Sequence, residues 1–183
     1  MTAKAIPMTT PLRYDRRTIA LHWITAALVL ALWLLGQTID WFPRGAPQVG
    51  ARSLHITLGA TLAVVLALRL RWRLAAASAK LPPAGAGWLD RLAPRAHQLL
   101  YALLLATVLL GLANAWERGD SIFGLFRIPS FDAADKALRH TIEDWHALAA
   151  NVLLGLAGLH AAAGLLHHYV FKDDVLRRML GRR

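Results

Sequence analysis

WHALAANVLLGLAGLHAAAGLLHHYVF, residues 145–171, carries no formal charge from end to end yet holds four histidines. A helix of roughly 20 apolar residues crosses ~30 Å of hydrocarbon, so this stretch is long enough to span a membrane. Ionisable side chains inside a span are costly, and they mark functional sites by default. His146 and His160 are separated by two heptads. That is about 21 Å along a helix and close to four whole turns, so both rings leave the same face.

Three further stretches share this character. Ile19–Ile39 and Ala96–Trp116 carry no formal charge, and Ser53–Leu68 runs uncharged into Arg69-Leu70-Arg71-Trp72-Arg73. The second span is the short one, and it reaches full length only if its arginine stems snorkel to the headgroups. Proline and charge gather between the stretches, where backbone groups can meet water. The sequence therefore predicts an all-α, integral membrane four-helix bundle filling residues 1–183 as one domain, with spans at about 19–39, 53–73, 96–116 and 145–171. Apolar residues at 56% and charged residues at only 17% agree with a membrane chain. Arg16-Arg17 before an apolar stretch looks superficially like a twin-arginine leader. The stretch is too long for a signal core and no A-x-A site closes it, so the first span is expected to be retained.

A net charge of +10 could suggest nucleic acid, but its placement speaks for topology. Fifteen basic residues fall in the N-terminal tail (Lys4, Arg13, Arg16, Arg17), the middle loop (Arg69, Arg71, Arg73, Lys80, Arg91, Arg95) and the C-terminal tail (Lys172, Arg177, Arg178, Arg182, Arg183). Six fall in the other two loops: Arg44, Arg52, Arg118, Arg127, Lys136 and Arg139. The positive-inside rule then puts both termini in the cytoplasm.

Cysteine is absent. That excludes disulfides, a thiolate haem ligand, covalent c-type attachment and iron–sulfur clusters. No repeat, Walker loop, Rossmann glycine pattern or zinc-protease helix is present, and no side-chain catalytic constellation is visible.

Depth sorts the histidines. His22 lies just inside the cytoplasmic start of span one, His55 just below the outer surface in span two, His146 near the outer surface and His160 near the inner one. Depth alone pairs His55 with His146 and His22 with His160. Neutral imidazoles opposed in pairs suit bis-histidine metal centres, and we read the four as axial ligands of two b haems. Six-coordinate iron leaves no open site for oxygen, which favours electron transfer. Ala26, Gly59, Ala150 and Gly164, each one turn after a proposed ligand, offer gaps for a porphyrin edge, although small residues also serve ordinary membrane helix packing.

Each histidine also has a blander reading. A single histidine at a helix end is more often an interfacial residue than a ligand; the joint pattern of four is what favours ligation. His97 opens span three at the inner side and competes with His22 for His160, or simply caps or touches a propionate. His140 reads as a solvated residue of the outer loop, and His167 and His168 end span four at the inner surface. Trp41, Trp72, Trp116 and Trp145 fall at span ends and read as an aromatic belt.

The chain resembles the bacterial four-helix cytochrome b561 proteins, and most closely the superoxide oxidases (superoxide:ubiquinone oxidoreductases) among them. The residues that carry the resemblance run from Tyr14 to Arg178. They include Ile19-Ala20-Leu21-His22-Trp23, Phe42-Pro43-Arg44, His55 with Gly59, Arg69 and Arg73, Trp145-His146 with Ala149 and Asn151, Gly158-Leu159-His160-Ala161-Ala162-Ala163, and Leu166-His167-His168-Tyr169 before Lys172-Asp173. The resemblance implies two haem b groups, His22 with His160 and His55 with His146, in an inner-membrane carrier that exchanges electrons with ubiquinone. It further implies superoxide as donor on the periplasmic side, and a quinone site to which His167 and, more weakly, Lys80 would contribute.

Outer charge departs from that picture. Steering an anion favours a positive mouth, yet the two outer loops net −1 while the inner side carries +11. Three readings stay open: a self-contained superoxide:quinone oxidoreductase, an electron-transfer module docking a soluble redox partner at the acidic Asp132–Asp144 segment, and a haem-free bundle.

Overall fold

The computed structural model describes residues 13–75, 89–132 and 135–180. Four long helices dominate it: α1 (Arg16–Thr38), α2 (Ala46–Leu74), α3 (Leu89–Arg118) and α4 (Lys136–Leu166). All four are long and apolar enough to cross a membrane. A short fifth helix, α5 (Val175–Leu180), follows the last span.

Each span is longer than its uncharged stretch. α2 begins at Ala46 and runs for 29 residues, so it needs no snorkelling to reach across. Its early charge, Arg52, is held 3.7 Å from Asp120, which is how a cation is accommodated within the helix. α3 starts at Leu89 with Pro94 inside it, and α4 starts at Lys136. His140 is therefore helical and not part of a loop, although it is exposed.

Helix ends are capped by local chemistry. Asp15 accepts the Thr18 N–H at 3.0 Å and starts α1, and Asp135 accepts the Leu138 N–H at 2.8 Å and starts α4. α3 stops at Gly119, whose φ of +62° suits glycine, and Asp120 N–H returns to the Ala115 carbonyl. A small hairpin follows, β1 (Ser121–Ile122) paired antiparallel with β2 (Phe126–Arg127). It is stapled to α2 by Ser53, which is fully buried. The Ser53 hydroxyl accepts the Phe123 N–H at 2.8 Å and lies 3.0 Å from the Ser121 carbonyl.

The core sits at mid-depth and consists of Leu32, Leu62, Leu66, Leu104 and Leu153 with Val29 packed against it. A hydrogen bond of 2.8 Å from Trp33 Nε1 to Asn151 Oδ1 ties α1 to α4. At the end of the bundle where both termini lie, called the inner end below, α4 widens into a π turn at His167–Phe171, closed by Lys172 at φ 55°. α5 then returns to α1, where Trp23 Nε1 donates to the Met179 carbonyl at 2.9 Å and Tyr14 N–H to the Arg178 carbonyl.

At the opposite end, called the outer end, charges are largely paired. Arg52 and Arg118 both face Asp120, Arg118 also reaches Glu143, and Arg139 holds Glu117 at 3.1 Å. Glu117 is fully buried. Burial raises the Asp120 carboxyl above its ordinary value, against the pull of Arg118 and Arg52.

Candidate metal centres

The heptad spacing that organises a left-handed bundle runs through all four helices. On α1 it gives His22, Val29 and Gly36; on α2, His55, Leu62 and Arg69; on α3, His97, Leu104 and Gly111; on α4, His146, Leu153 and His160. Because neighbouring helices run in opposite directions, these positions stack as three layers. Gly36, His55, Gly111 and His146 form the outer layer. Val29, Leu62, Leu104 and Leu153 meet in the core between. His22, Arg69, His97 and His160 form the inner layer.

Imidazoles meet in both histidine layers. The rings of His22 and His160 are 6.3 Å apart between centroids and inclined at 68°; those of His55 and His146 are 6.2 Å apart at 86°. Two imidazoles on opposite sides of one metal, each bonded at about 2 Å, place their centroids about 6.3 Å apart once the ring radii are added. Both pairs fit a shared metal. His97 approaches His160 to 5.2 Å, about 1 Å too close for that arrangement. That separation would suit a shared metal less well than the 6.3 Å between His22 and His160. Among the described residues, no group of three or more histidine, aspartate or glutamate side chains is placed to hold a metal ion.

Two glycines shape the outer layer. A Cβ on Gly111 would stand 2.8 Å from His146 Cε1, and one on Gly36 would stand 3.3 Å from His55 Cε1. His146 Nδ1–H donates to the Thr107 carbonyl at 3.0 Å. A carbonyl can only accept, so the proton is on Nδ1 and Nε2 keeps its lone pair for a metal. His55 Nδ1 is buried without a short hydrogen bond, and the Leu32 carbonyl, one turn before Gly36, is the backbone acceptor that acts on this ring. The two glycines thus form a socket around the two imidazoles, and the His146 ring is held by the shorter backbone contact.

Gly36 and Gly111 escaped the sequence reading, which looked one turn along from each ligand. At Gly59 a Cβ would meet nothing within 4 Å, and at Gly164 only Leu176 at 4.0 Å. The missed signal was the recurrence of the two-heptad interval on every helix.

At the inner end, the guanidinium groups of Arg69 and Arg73 both lie 5.2 Å from the centre of the Tyr101 ring. His167 is held by Asp173, its Nδ1 being 2.5 Å from Oδ2, and its ring lies against Phe171. Burial acts to raise the Asp173 carboxyl, but the His167 ring and the Val175 N–H outweigh it and bring it below its ordinary value. Lys80 lies outside the described residues. Trp72 is pinned by Thr18 and Arg17, while Trp41, Trp116 and Trp145 are exposed at the span ends.

Four membrane-length helices thus bring imidazoles together in pairs at two depths. The family model described as prokaryotic cytochrome b561 matches residues 13–182. The chain belongs to this family, and the family implies haem b. It is 31% identical to the probable superoxide oxidase CybB of Yersinia pestis, covering 93% of this chain and 97% of that one. It is likewise 31% identical to cytochrome b561 homolog 1 of Escherichia coli K12, over 93% and 98% of the two chains. Against cytochrome b562 of Cereibacter sphaeroides it is 32% identical, over 93% and 96%.

Proposed function

We propose that this single-domain protein holds two b haems, one between His55 and His146 and one between His22 and His160, and moves electrons from the periplasmic face to the quinone pool. The observation that carries this reading is the pair of centroid separations, 6.2 and 6.3 Å, at two depths of one bundle. Haem, when bound, supplies reversible one-electron chemistry. The chain's own work is to hold neutral imidazoles, fix their rotation and keep water away from the leucine layer between them. The positive-inside rule supports cytoplasmic termini in the inner membrane.

Superoxide is the proposed donor. Two superoxide anions each give one electron and become dioxygen; one ubiquinone takes both electrons with two protons and becomes ubiquinol. Arg127 supports an anionic donor. It lines an outer cavity of about 380 Å³ with Ala46, Val49, Gly50, Ser121 and Phe123. It has no carboxylate partner among the described residues, unlike Arg52, Arg118 and Arg139. His167, oriented by Asp173 at the inner end of α4, is the proposed contact for quinone.

The second reading is a b561-type module that passes electrons between quinone and a soluble redox partner. The ion pairs that neutralise three outer arginines favour it, because they leave little net positive field to gather superoxide. The deciding experiment is a reduced-minus-oxidised spectrum of the purified protein with superoxide as sole reductant, with and without ubiquinone. Reduction by superoxide and reoxidation by quinone support the oxidase; haems that respond to dithionite alone support the module.

A further inference from the structure

The inner and outer layers place the same four positions around each proposed centre but fill them differently. Beside His55 and His146 stand Gly36 and Gly111; beside His22 and His160 stand Arg69 and His97. From this contrast we propose that Arg69 makes the inner centre the one of higher reduction potential, so that electrons run downhill from the outer centre to the inner. The inference rests on the two-haem reading and adds to it an order of potentials and a residue that sets it.

Adding an electron to a centre lowers its charge by one, so a fixed cation nearby favours the reduced form. Arg69 is half-buried, with its guanidinium against Tyr101. Among the described residues it has no carboxylate within ion-pair distance. It fills the layer position shared with His22, His97 and His160. A cofactor carboxylate pairing with Arg69 would weaken its field without giving the outer layer a cation of its own.

The outer centre is built the opposite way. Its two free corners are glycines, the arginines Arg52, Arg118 and Arg139 at that end each face a carboxylate, and Arg127, which does not, stands on the hairpin outside the layer. The Thr107 carbonyl, by accepting the His146 Nδ1–H, makes Nε2 a stronger donor and favours the oxidised metal. Both effects push the two potentials apart in the same sense. The electron count balances simply: each electron lost by a one-electron donor at the outer end is gained by a quinone at the inner end.

The test is an equilibrium redox titration of the haem-loaded protein, with His146→Ala and His160→Ala used to assign the two steps. The upper step should survive in His146→Ala and vanish in His160→Ala. Arg69→Gln should lower the upper step alone, while Arg69→Lys, which keeps the charge, should leave it near the wild-type value. Arg73→Gln should move it less, because Arg73 lies one turn beyond the layer toward the end of α2. An upper step that belongs to the outer centre overturns the proposal. So does an equal shift in the Gln and Lys variants, which would make Arg69 a packing residue. One haem per wild-type chain, counted before any titration, would instead overturn the two-haem reading beneath it.

Discussion

Gly111 lies so close to the imidazole of His146 that a Cβ there would be 2.8 Å from Cε1. Real Cβ atoms do not approach so closely, so Gly111→Ala must displace the ring that Thr107 orients. The expected result is loss of about one haem in two, with the inner centre retained. Gly36→Ala, at 3.3 Å from His55, should cost less. Gly155→Ala, where a Cβ meets nothing within 4 Å, should cost nothing. Haem content by pyridine haemochrome checks the order; equal losses in all three would remove the case for a socket.

His97 separates two arrangements of the inner centre. Its 5.2 Å approach to His160 is too short for two rings across one metal. His97→Ala should therefore keep two haems and alter only the inner spectrum, whereas His22→Ala should lose the inner haem. The reverse pattern would make His97 the ligand.

Acid should loosen the inner end before the bundle. Asp173 has a folded value below its ordinary 3.8. A carboxyl depressed in this way contributes stability that is complete above about pH 4 and is lost as pH falls through the lower, folded value. The His167 contact and the cap of α5 at Val175 should weaken only in that acid range. Amide exchange over residues 173–180 at pH 3 and pH 7 would show it. An onset near pH 6 would point to histidine instead. Asp173→Asn should loosen the same segment at neutral pH and slow quinone reduction with both haems in place.

Arg139→Ala should strand a buried carboxylate. Glu117 has no exposed side-chain surface, while Arg139 is 32% exposed. Breaking a buried pair costs about 3–5 kcal/mol, and partial exposure places this one toward the lower end. A fall in thermal midpoint that Glu117→Gln partly restores in the double variant would confirm the cause; an unchanged midpoint would refute it.

Much of the fold was legible because a bilayer enforces a simple code. Charge-free length located every span, and depth arithmetic brought together the same rings that the structure sets 6.3 and 6.2 Å apart. Helix ends were less legible. α2 and α4 extend well past their uncharged stretches because Arg52 and Arg139 meet carboxylates on neighbouring segments, and such partners are invisible along the chain. The roles of Gly36, Gly111 and Thr107 were hidden for a related reason. Each acts on a histidine of another helix, so neighbours in sequence gave no hint. Only the common two-heptad interval, read across all four helices at once, would have pointed to the two glycines.

The most direct test of the two-centre assignment is haem stoichiometry in purified wild type, His146→Ala and His160→Ala. Two haems per chain in the wild type and one in each variant, with different residual spectra, is the predicted result. One haem in the wild type, or two retained in either variant, would contradict the assignment of His55 with His146 and His22 with His160.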